Sequence, residues 1–429
     1  MSSTNQTIKL DRGKPSPFAP APRAVRAGDY VFTSSIYPID ASGHAISVDE
    51  CLGESGPSLV DAQTRQCLDT LKSVLGDFKS TLEHVLKVDV HLADAHDFLE
   101  FKRVWKEYFP KDPPARTTVE VGDTLPFPGA RLSLDGVALA GDSKLVRQVL
   151  TDPEGSDPMP AEWASHAVRA GNFVFCSAFP ANDFKTGLAV GKPPGFPNYG
   201  SDAEMQAEYI FARMNRVLSQ AGTSLEQAIE SQLYEPNLLN FHDVDGIWAK
   251  FMPLPPPRSS MGVKGLILPG ALCAANLTIL VPDKEHQREE SHKGLRWHPV
   301  KVRKVNFSPT MKAGQWRFIA GQVPSPDMKS SVTVPTGMLM HLSDIEEQIR
   351  YTMEILTEQL EANDTDWAHC HHVRLYLTQP RRDYRAFARV WRDYFPDLAK
   401  APALAFVPST GIMFNDLLVE IDPTCVARS

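Results

Sequence analysis

Ala-Val-Arg-Ala-Gly-Asp-Tyr-Val-Phe-Thr-Ser-Ser, residues 24–35, reads as a tight turn at Gly28-Asp29 that feeds a mostly apolar strand. The pattern returns as Ala-Val-Arg-Ala-Gly-Asn-Phe-Val-Phe-Cys-Ser-Ala from Ala167 and, more loosely, as Met-Lys-Ala-Gly-Gln-Trp-Arg-Phe-Ile-Ala-Gly from Met311. Gly28, Gly171 and Gly314 thus recur every 143 residues. Trp105, Trp248 and Trp391 recur at the same 143-residue interval, in Val-Trp-Lys-Glu-Tyr-Phe-Pro, Ile-Trp-Ala-Lys-Phe-Met-Pro and Val-Trp-Arg-Asp-Tyr-Phe-Pro. Two independent landmarks with one period mean an internal triplication. The matching tryptophans fall on an amphipathic helix and are expected in the core.

A chain of 429 residues also suits three globular units on size alone. The repeats divide it at 1–145, 146–290 and 291–429, the third being the most degenerate. Within the first unit, 61–78 carries apolar residues at helical spacing, 84–92 alternates as a strand, and 97–109 opens a second helix that Pro110 ends. Residues 119–121 and 130–139 supply further strands, giving a hairpin, helix, strand, helix and two strands. This order predicts an α+β unit with its helices on one sheet face. Residues 140–160 and the charged run 283–294 read as solvated linkers, and 191–200 as a loop insertion in the second unit.

The net charge of -8 leaves no basic stripe for a polynucleotide, so nucleic acid is not an expected partner. No apolar run approaches the length of a membrane span, and the first twenty residues lack a signal-peptide core. Six cysteines without a CxxC pair fit reduced thiols in a cytoplasmic protein better than a disulfide framework. His369-Cys370-His371-His372 invites a metal reading, but residues of one strand alternate faces and no partner motif is visible, so no metal or other cofactor is expected.

Pro-Pro-Ala-Arg-Thr-Thr-Val-Glu-Val at 113–121 brings a stiff double proline to Arg116 at a strand entrance. A guanidinium held there presents a planar fork of donors suited to a carboxylate or phosphate. Together with Ala-Gln-Thr-Arg-Gln-Cys-Leu-Asp-Thr-Leu-Lys, Lys-Val-Asp-Val-His-Leu-Ala-Asp and the Tyr-Phe-Pro end of the second helix, this stretch resembles the RidA/YjgF family of enamine/imine deaminases. The resemblance covers nearly all of the first unit, most of the second, and the third more loosely.

The resemblance implies chorismate-mutase-like domains with small-molecule clefts between neighbouring subunits. Three fused units then imply a self-contained pseudo-trimer whose clefts are free to diverge. The family's cleft arginine corresponds to Arg116 and Arg258, with Leu404 in the third unit. Its acidic residue aligns with Asp135, Asn276 and Asp422, and its turn serine with Ser34, Ser177 and Ala320, although the third unit alone keeps Gly321-Gln322. Thr118 and Ser260 stand two residues beyond the arginines, Lys102 replaces a common asparagine, and the cleft tyrosine falls at Ala21, Ala164 and Phe307.

These matches point to metal-free hydrolysis or deamination of a small imine, enamine or amide-like metabolite. Arg116 is expected to anchor a carboxylate or carbonyl and Asp135 to orient water. Ser34, Thr118, Lys102, Ser177, Arg258, Ser260 and Asn276 are expected to contact substrate. The first unit alone combines Ser34, Arg116, Thr118 and Asp135 in its sequence. The competing expectation is a ligand-binding or regulatory protein without turnover.

Overall fold

The computed structural model describes residues 8–48, 56–153, 163–178, 180–183, 188–191, 195, 199–296, 306–334, 343–414 and 416–428. The first repeat runs β1 (Leu10–Arg12), β2 (Ala24–Ala27), β3 (Tyr30–Thr33), α1 (Leu59–Asp77), β4 (Val85–Leu92), α2 (Phe98–Tyr108), β5 (Ala115–Glu120) and β6 (Leu132–Leu139). The second runs β7 (Arg147–Leu150), β8 (Ala167–Ala170), β9 (Phe173–Cys176), the small pair β10 (Asn182–Asp183) and β11 (Leu188–Ala189), α3 (Asp202–Ser219), β12 (Ala228–Glu235), α4 (Phe241–Phe251), β13 (Arg258–Gly262), β14 (Gly265–Leu266) and β15 (Ala274–Leu280). The third runs β16 (Arg288–Ser291), β17 (Thr310–Ala313), β18 (Trp316–Ile319), α5 (Asp344–Ala362), β19 (Cys370–Leu377), α6 (Pro380–Tyr394), β20 (Ala403–Pro408), β21 (Gly411–Ile412) and β22 (Val419–Val426). The α+β expectation and the threefold repeat both hold.

Local chemistry sets the helix starts. Ser58 caps α1 by accepting the Asp61 amide, and Ser201 with Glu204 forms a reciprocal capping box on α3. Cys67, Leu71, Phe101 and Trp105 pack with Val88, Val90, Leu132 and Leu134, so both helices cover one face of the first sheet. The other faces meet: Phe32, Val137, Phe173, Phe175, Trp316 and Phe318, drawn from all three repeats, share one core. In each sheet the last long strand pairs antiparallel with the strand that follows the first long helix, and that strand pairs parallel with the next.

The repeats also join edge to edge. β14 adds to β5 of the first repeat, and β21 adds to β13 of the second. The Ser35 amide donates to the Leu404 carbonyl at 3.0 Å, which ties the first repeat to the third.

Two linker expectations need correction. Residues 147–150 form β7, which pairs with β8, and the charged run contains β16, which pairs with β17. Charged side chains are compatible with an edge strand, whose main chain bonds on one side while its side chains reach water. The thiol expectation also changes: Cys370 and Cys425 are joined by a disulfide, whereas Cys67, Cys176 and Cys273 are free and buried. Cys370 and Cys425 are opposite one another on β19 and β22, a proximity that their separation of 55 residues conceals. The insertion expected at 191–200 falls largely outside the described residues.

Candidate active site

Strand register divides the expected residues into separate places. Asp135 stands opposite Asp89, and Asp89 stands opposite Thr117. Those three side chains share a sheet face, so Arg116, next to Thr117, points to the other. Asp135 therefore does not form one site with Arg116. It lines a cavity drawn from all three repeats with Lys87, Asp89, Glu230, Asn276 and Arg374.

Ion pairs and hydrogen bonds fill much of that space. Lys87 Nζ donates to Asn276 Oδ1, and to the Cys176 carbonyl at 2.5 Å, while Asn276 Nδ2 donates to Asp89 at 3.0 Å. Arg374 pairs with Glu230 at 2.5 Å and lies 3.7 Å from Asp89. Burial and the neighbouring Asp89 hold the Asp135 carboxyl well above its ordinary range, against the pull of Arg374 and Lys87. These residues join the repeats, as Asn276 does by bonding two side chains of the first repeat.

Arg116 itself is buried between the first and second repeats. Its guanidinium lies 5.2 to 5.5 Å from the ring centres of Phe98, Phe101 and Trp105. Nε donates to Thr118 at 3.0 Å, and Nη1 to the Trp163 carbonyl at 3.3 Å. Lys102 stands 5.8 Å from the centre of the Phe98 ring. Ser177 accepts the Arg116 amide at 2.8 Å and donates to the Ser165 carbonyl at 2.5 Å. Ser34 does the same for the joint of the first and third repeats, accepting the Leu404 amide at 2.8 Å and donating to the Pro22 carbonyl at 2.6 Å. Both serines are thus committed to joints between repeats, and Ser34 is not beside Arg116.

A different constellation forms between the second and third repeats. Arg258, Ser260 and Phe241 line a small cavity with Phe307, Gly321, Val323, Met328, Met413 and Glu420. Arg258 Nη2 pairs with Asp245 at 2.8 Å, and Asp245 is held from the other side by Asn306 Nδ2 at 2.7 Å. Glu420 rests directly on Gly321, where an added Cβ would come within 1.9 Å of Glu420 Oε1. Only glycine permits that approach.

The buried polar atoms here without a hydrogen-bond partner include Arg258 Nη1, Glu420 Oε2 and the Nε1 of Trp248, whose ring lies 4.9 Å from the Arg258 guanidinium. The equivalent indoles are satisfied, since Trp105 Nε1 donates to the Trp163 carbonyl at 2.9 Å and Trp391 Nε1 to the Pro20 carbonyl at 2.8 Å. Orphaned buried groups are uncommon and call for an explanation, and a ligand is a direct one. Burial, with Asp422 nearby, pushes the Glu420 carboxyl up to about 8, even though Ser259 and Arg258 oppose the shift. Burial likewise lifts Glu235, at the end of β12, to about 8.

Glu420 is the functional candidate that the sequence reading missed. Register makes it equivalent to Ser133 and Ala274, because the three stand opposite Tyr376, His91 and Tyr234. Asp422 belongs instead with Asp135 and Asn276, opposite Arg374, Asp89 and Gln232. Its carboxylate is occupied by Ser259 at 2.7 Å and Tyr376 at 2.9 Å. The available signal was Gly321, the glycine that the third unit alone retains in that turn.

The comparisons with known proteins agree with the threefold reading. The family model described as Endoribonuclease L-PSP matches residues 12–140, 155–273 and 301–427. The 3-aminoacrylate deaminase RutC of Acinetobacter baylyi is 34% identical over 131 residues, which cover 30% of this chain and 95% of that protein. The RutC family protein PH0854 of Pyrococcus horikoshii is 36% identical over 107 residues, covering 25% of this chain and 78% of that one. The crystal structure of yeast Mmf1 aligns with 31% of this chain and 99% of its own at 24% identity and a TM-score of 0.26. Among the described residues, no helix is long and apolar enough to cross a membrane, and no three metal-ligating side chains converge. The chain belongs to the Endoribonuclease L-PSP family, also known as RidA/YjgF, and carries three consecutive copies of its domain.

Proposed function

We propose that the chain hydrolyses a C–N bond of a small imine, enamine or amide-like metabolite in the cleft between its second and third repeats. The three units, taken as 1–145, 146–290 and 291–429, act in this reading as a pseudo-threefold ring with one complete cleft. The observation that carries it is the pairing of Arg258 with Glu420 around one cavity, each with an unpartnered buried polar atom. The positions equivalent to Glu420 are serine and alanine, and the arginine position in the third repeat is Leu404.

In this mechanism the protonated Glu420 carboxyl gives its proton to the substrate, on nitrogen for an imine or on carbon for an enamine, forming an electrophilic iminium carbon. Water attacks that carbon, and its proton returns to the carboxylate. Collapse of the tetrahedral adduct then releases ammonia and a carbonyl compound. Arg258 supplies an N–H to a substrate oxygen and fixes the orientation. No covalent enzyme intermediate is needed. Kinship with a 3-aminoacrylate deaminase supports the reaction class.

The test is ammonia release from a panel of carboxylated and uncharged imines, enamines and amides, comparing the intact chain with Arg258→Gln, Glu420→Gln and Arg116→Gln. Loss with the first two and retention with the third is the expected pattern. Loss with Arg116→Gln alone would move the chemistry to the first cleft, and turnover that survives Glu420→Gln unchanged would remove the mechanism.

A further inference from the structure

The acids packed around Arg258 decide what charge the cleft accepts. Asp245 and Arg258 are both nearly inaccessible to solvent, at 4% and 5%, so their ion pair is not diluted by water. Asn306 orders Asp245 further. The positions equivalent to Asp245 and Arg258 in the first repeat are Lys102 and Arg116, so that repeat brings no acid to the same place. Glu235 adds a second buried carboxyl close enough to feel Arg258, and Glu420 adds a third at the cavity wall.

From this geometry we infer that the ligand of the cleft is electrically neutral at the group Arg258 contacts, a carboxamide, lactam or uncharged imine carbonyl rather than a carboxylate. The inference rests on the cleft between the second and third repeats being the working one. A carboxylate would be a further anion beside an arginine whose charge Asp245 already balances. Burying it there would require desolvation without a free cation in return. A carbonyl oxygen needs only one donor, and Arg258 Nη1 is an unpartnered buried donor. Apart from the Ser260 hydroxyl and Gly321, the remaining lining is apolar, from Phe241, Phe307, Val323, Met328 and Met413, which suits a short alkyl or aryl group. Free space in the cleft is about 20 Å³, enough for about one water. Ligand entry therefore displaces side chains, and the unbranched Met328 and Met413 are the adaptable ones.

The experiment titrates isobutyramide and isobutyrate, a near-isosteric neutral and anionic pair, into the full chain carrying ¹³C-methyl methionine. The methyl resonances of Met328 and Met413 report occupancy. Isobutyramide is expected to move both at a midpoint at least tenfold below that of isobutyrate. Asp245→Asn, which removes the counter-charge, should narrow or reverse that ratio. The intact chain alone already decides the matter should that variant fold poorly. Isobutyrate binding as tightly as the amide, with the response lost in Arg258→Gln, would overturn the neutral ligand and leave the cleft in place. No shift of Met328 or Met413 with either probe, or shifts that Arg258→Gln leaves unchanged, would overturn both the ligand class and the cleft.

Discussion

Glu420 of the third repeat and Arg258 of the second line the same buried cavity, although 162 positions separate them in sequence. Neither repeat holds both groups. The arginine enters from β13 of one sheet, between β12 and β21, and the glutamate comes from β22 of the next. Fusion of three copies permits such an arrangement, because each repeat can change independently of the other two. The second repeat, which packs against Arg116, has Ala274 at the position of Glu420, the first repeat has Ser133 there, and the third repeat has Leu404 at the position of the arginine.

Removing either member should therefore lower turnover sharply without unfolding the chain. Glu420→Gln keeps shape and burial while losing the transferable proton, and we expect kcat to fall by about a hundredfold or more, the lower range for loss of a general acid–base group. Arg258→Gln should raise KM as well, since the carbonyl loses its donor. Steady-state ammonia release with circular dichroism as a folding control checks both.

The pH profile follows from Glu420. Its carboxyl is raised to about 8 in the folded protein, so it carries its proton at neutral pH and loses it above that value. As a proton donor it makes kcat/KM flat below pH 8 and falling above it, with a slope approaching one decade per unit. A profile that rises through the same range would instead make Glu420 a base. Glu420→Gln should remove this limb from whatever activity remains.

Much of the fold could be read from the sequence because the repeat supplied three readings of each element. The expected helix at 61–78 is Leu59–Asp77, and the expected strand at 84–92 is Val85–Leu92. The site was less legible. Arg258 and Ser260 were found because their proline-rich approach repeats. Glu420 was passed over because it breaks the repeat, while Asp135, Asn276 and Asp422 preserve a polar position. That polarity belongs to the cavity shared by the three repeats, where Lys87, Asp89, Glu230 and Arg374 also lie, and the distinction depends on which sheet face a residue occupies. Two residues along a strand return to the same face, so Glu420 and Asp422 both look inward. Which neighbouring repeat meets each one is a matter of tertiary packing, and no local pattern encodes it.

Glu235 should cost stability as pH rises. Both of its oxygens lack a hydrogen-bond partner, and burial lifts its carboxyl to about 8 from an ordinary 4.5. Between those two values the unfolded chain has released a proton that the folded chain still holds, so rising pH favours unfolding; above about 8 the effect levels off. Glu235→Gln removes the difference. The melting temperature of the variant should gain on that of the parent by a few degrees between pH 5 and 8 and stay constant beyond, as thermal unfolding across a pH series can show. A gap independent of pH would contradict the buried acid.

The network in that shared cavity predicts a large loss from a single unpaired charge. Arg374 balances Glu230 and lies near Asp89, with all three buried or nearly so. Arg374→Met leaves Glu230 without its ion-pair partner, while Asp89 keeps Lys87 at 3.6 Å, and should cost roughly 3–5 kcal/mol. Replacing Glu230 by Gln as well should recover part of the loss, which chemical denaturation of the two variants measures. Equal stability of the single variant and the parent would mean that the cavity is hydrated enough to screen it.

The three repeat tryptophans provide a test of the cleft between the second and third repeats that needs no substrate. Each is fully buried, and each loses the same ring volume on substitution by Phe, so the packing cost is similar across the series. The polar cost differs. Trp391→Phe leaves the Pro20 carbonyl without its indole donor, while Trp105→Phe leaves the Trp163 carbonyl with the remaining 3.3 Å contact from Arg116. Trp248→Phe removes a donor that has no acceptor. An abandoned buried group costs about 1–3 kcal/mol, whereas deleting an unsatisfied one costs nothing further. Stability should therefore fall most for Trp391→Phe, less for Trp105→Phe and least for Trp248→Phe in parallel thermal melts. A Trp248→Phe loss as large as that of Trp391→Phe would mean that its indole N–H is already bonded, and the second cleft would then have no more claim to a ligand than the other two.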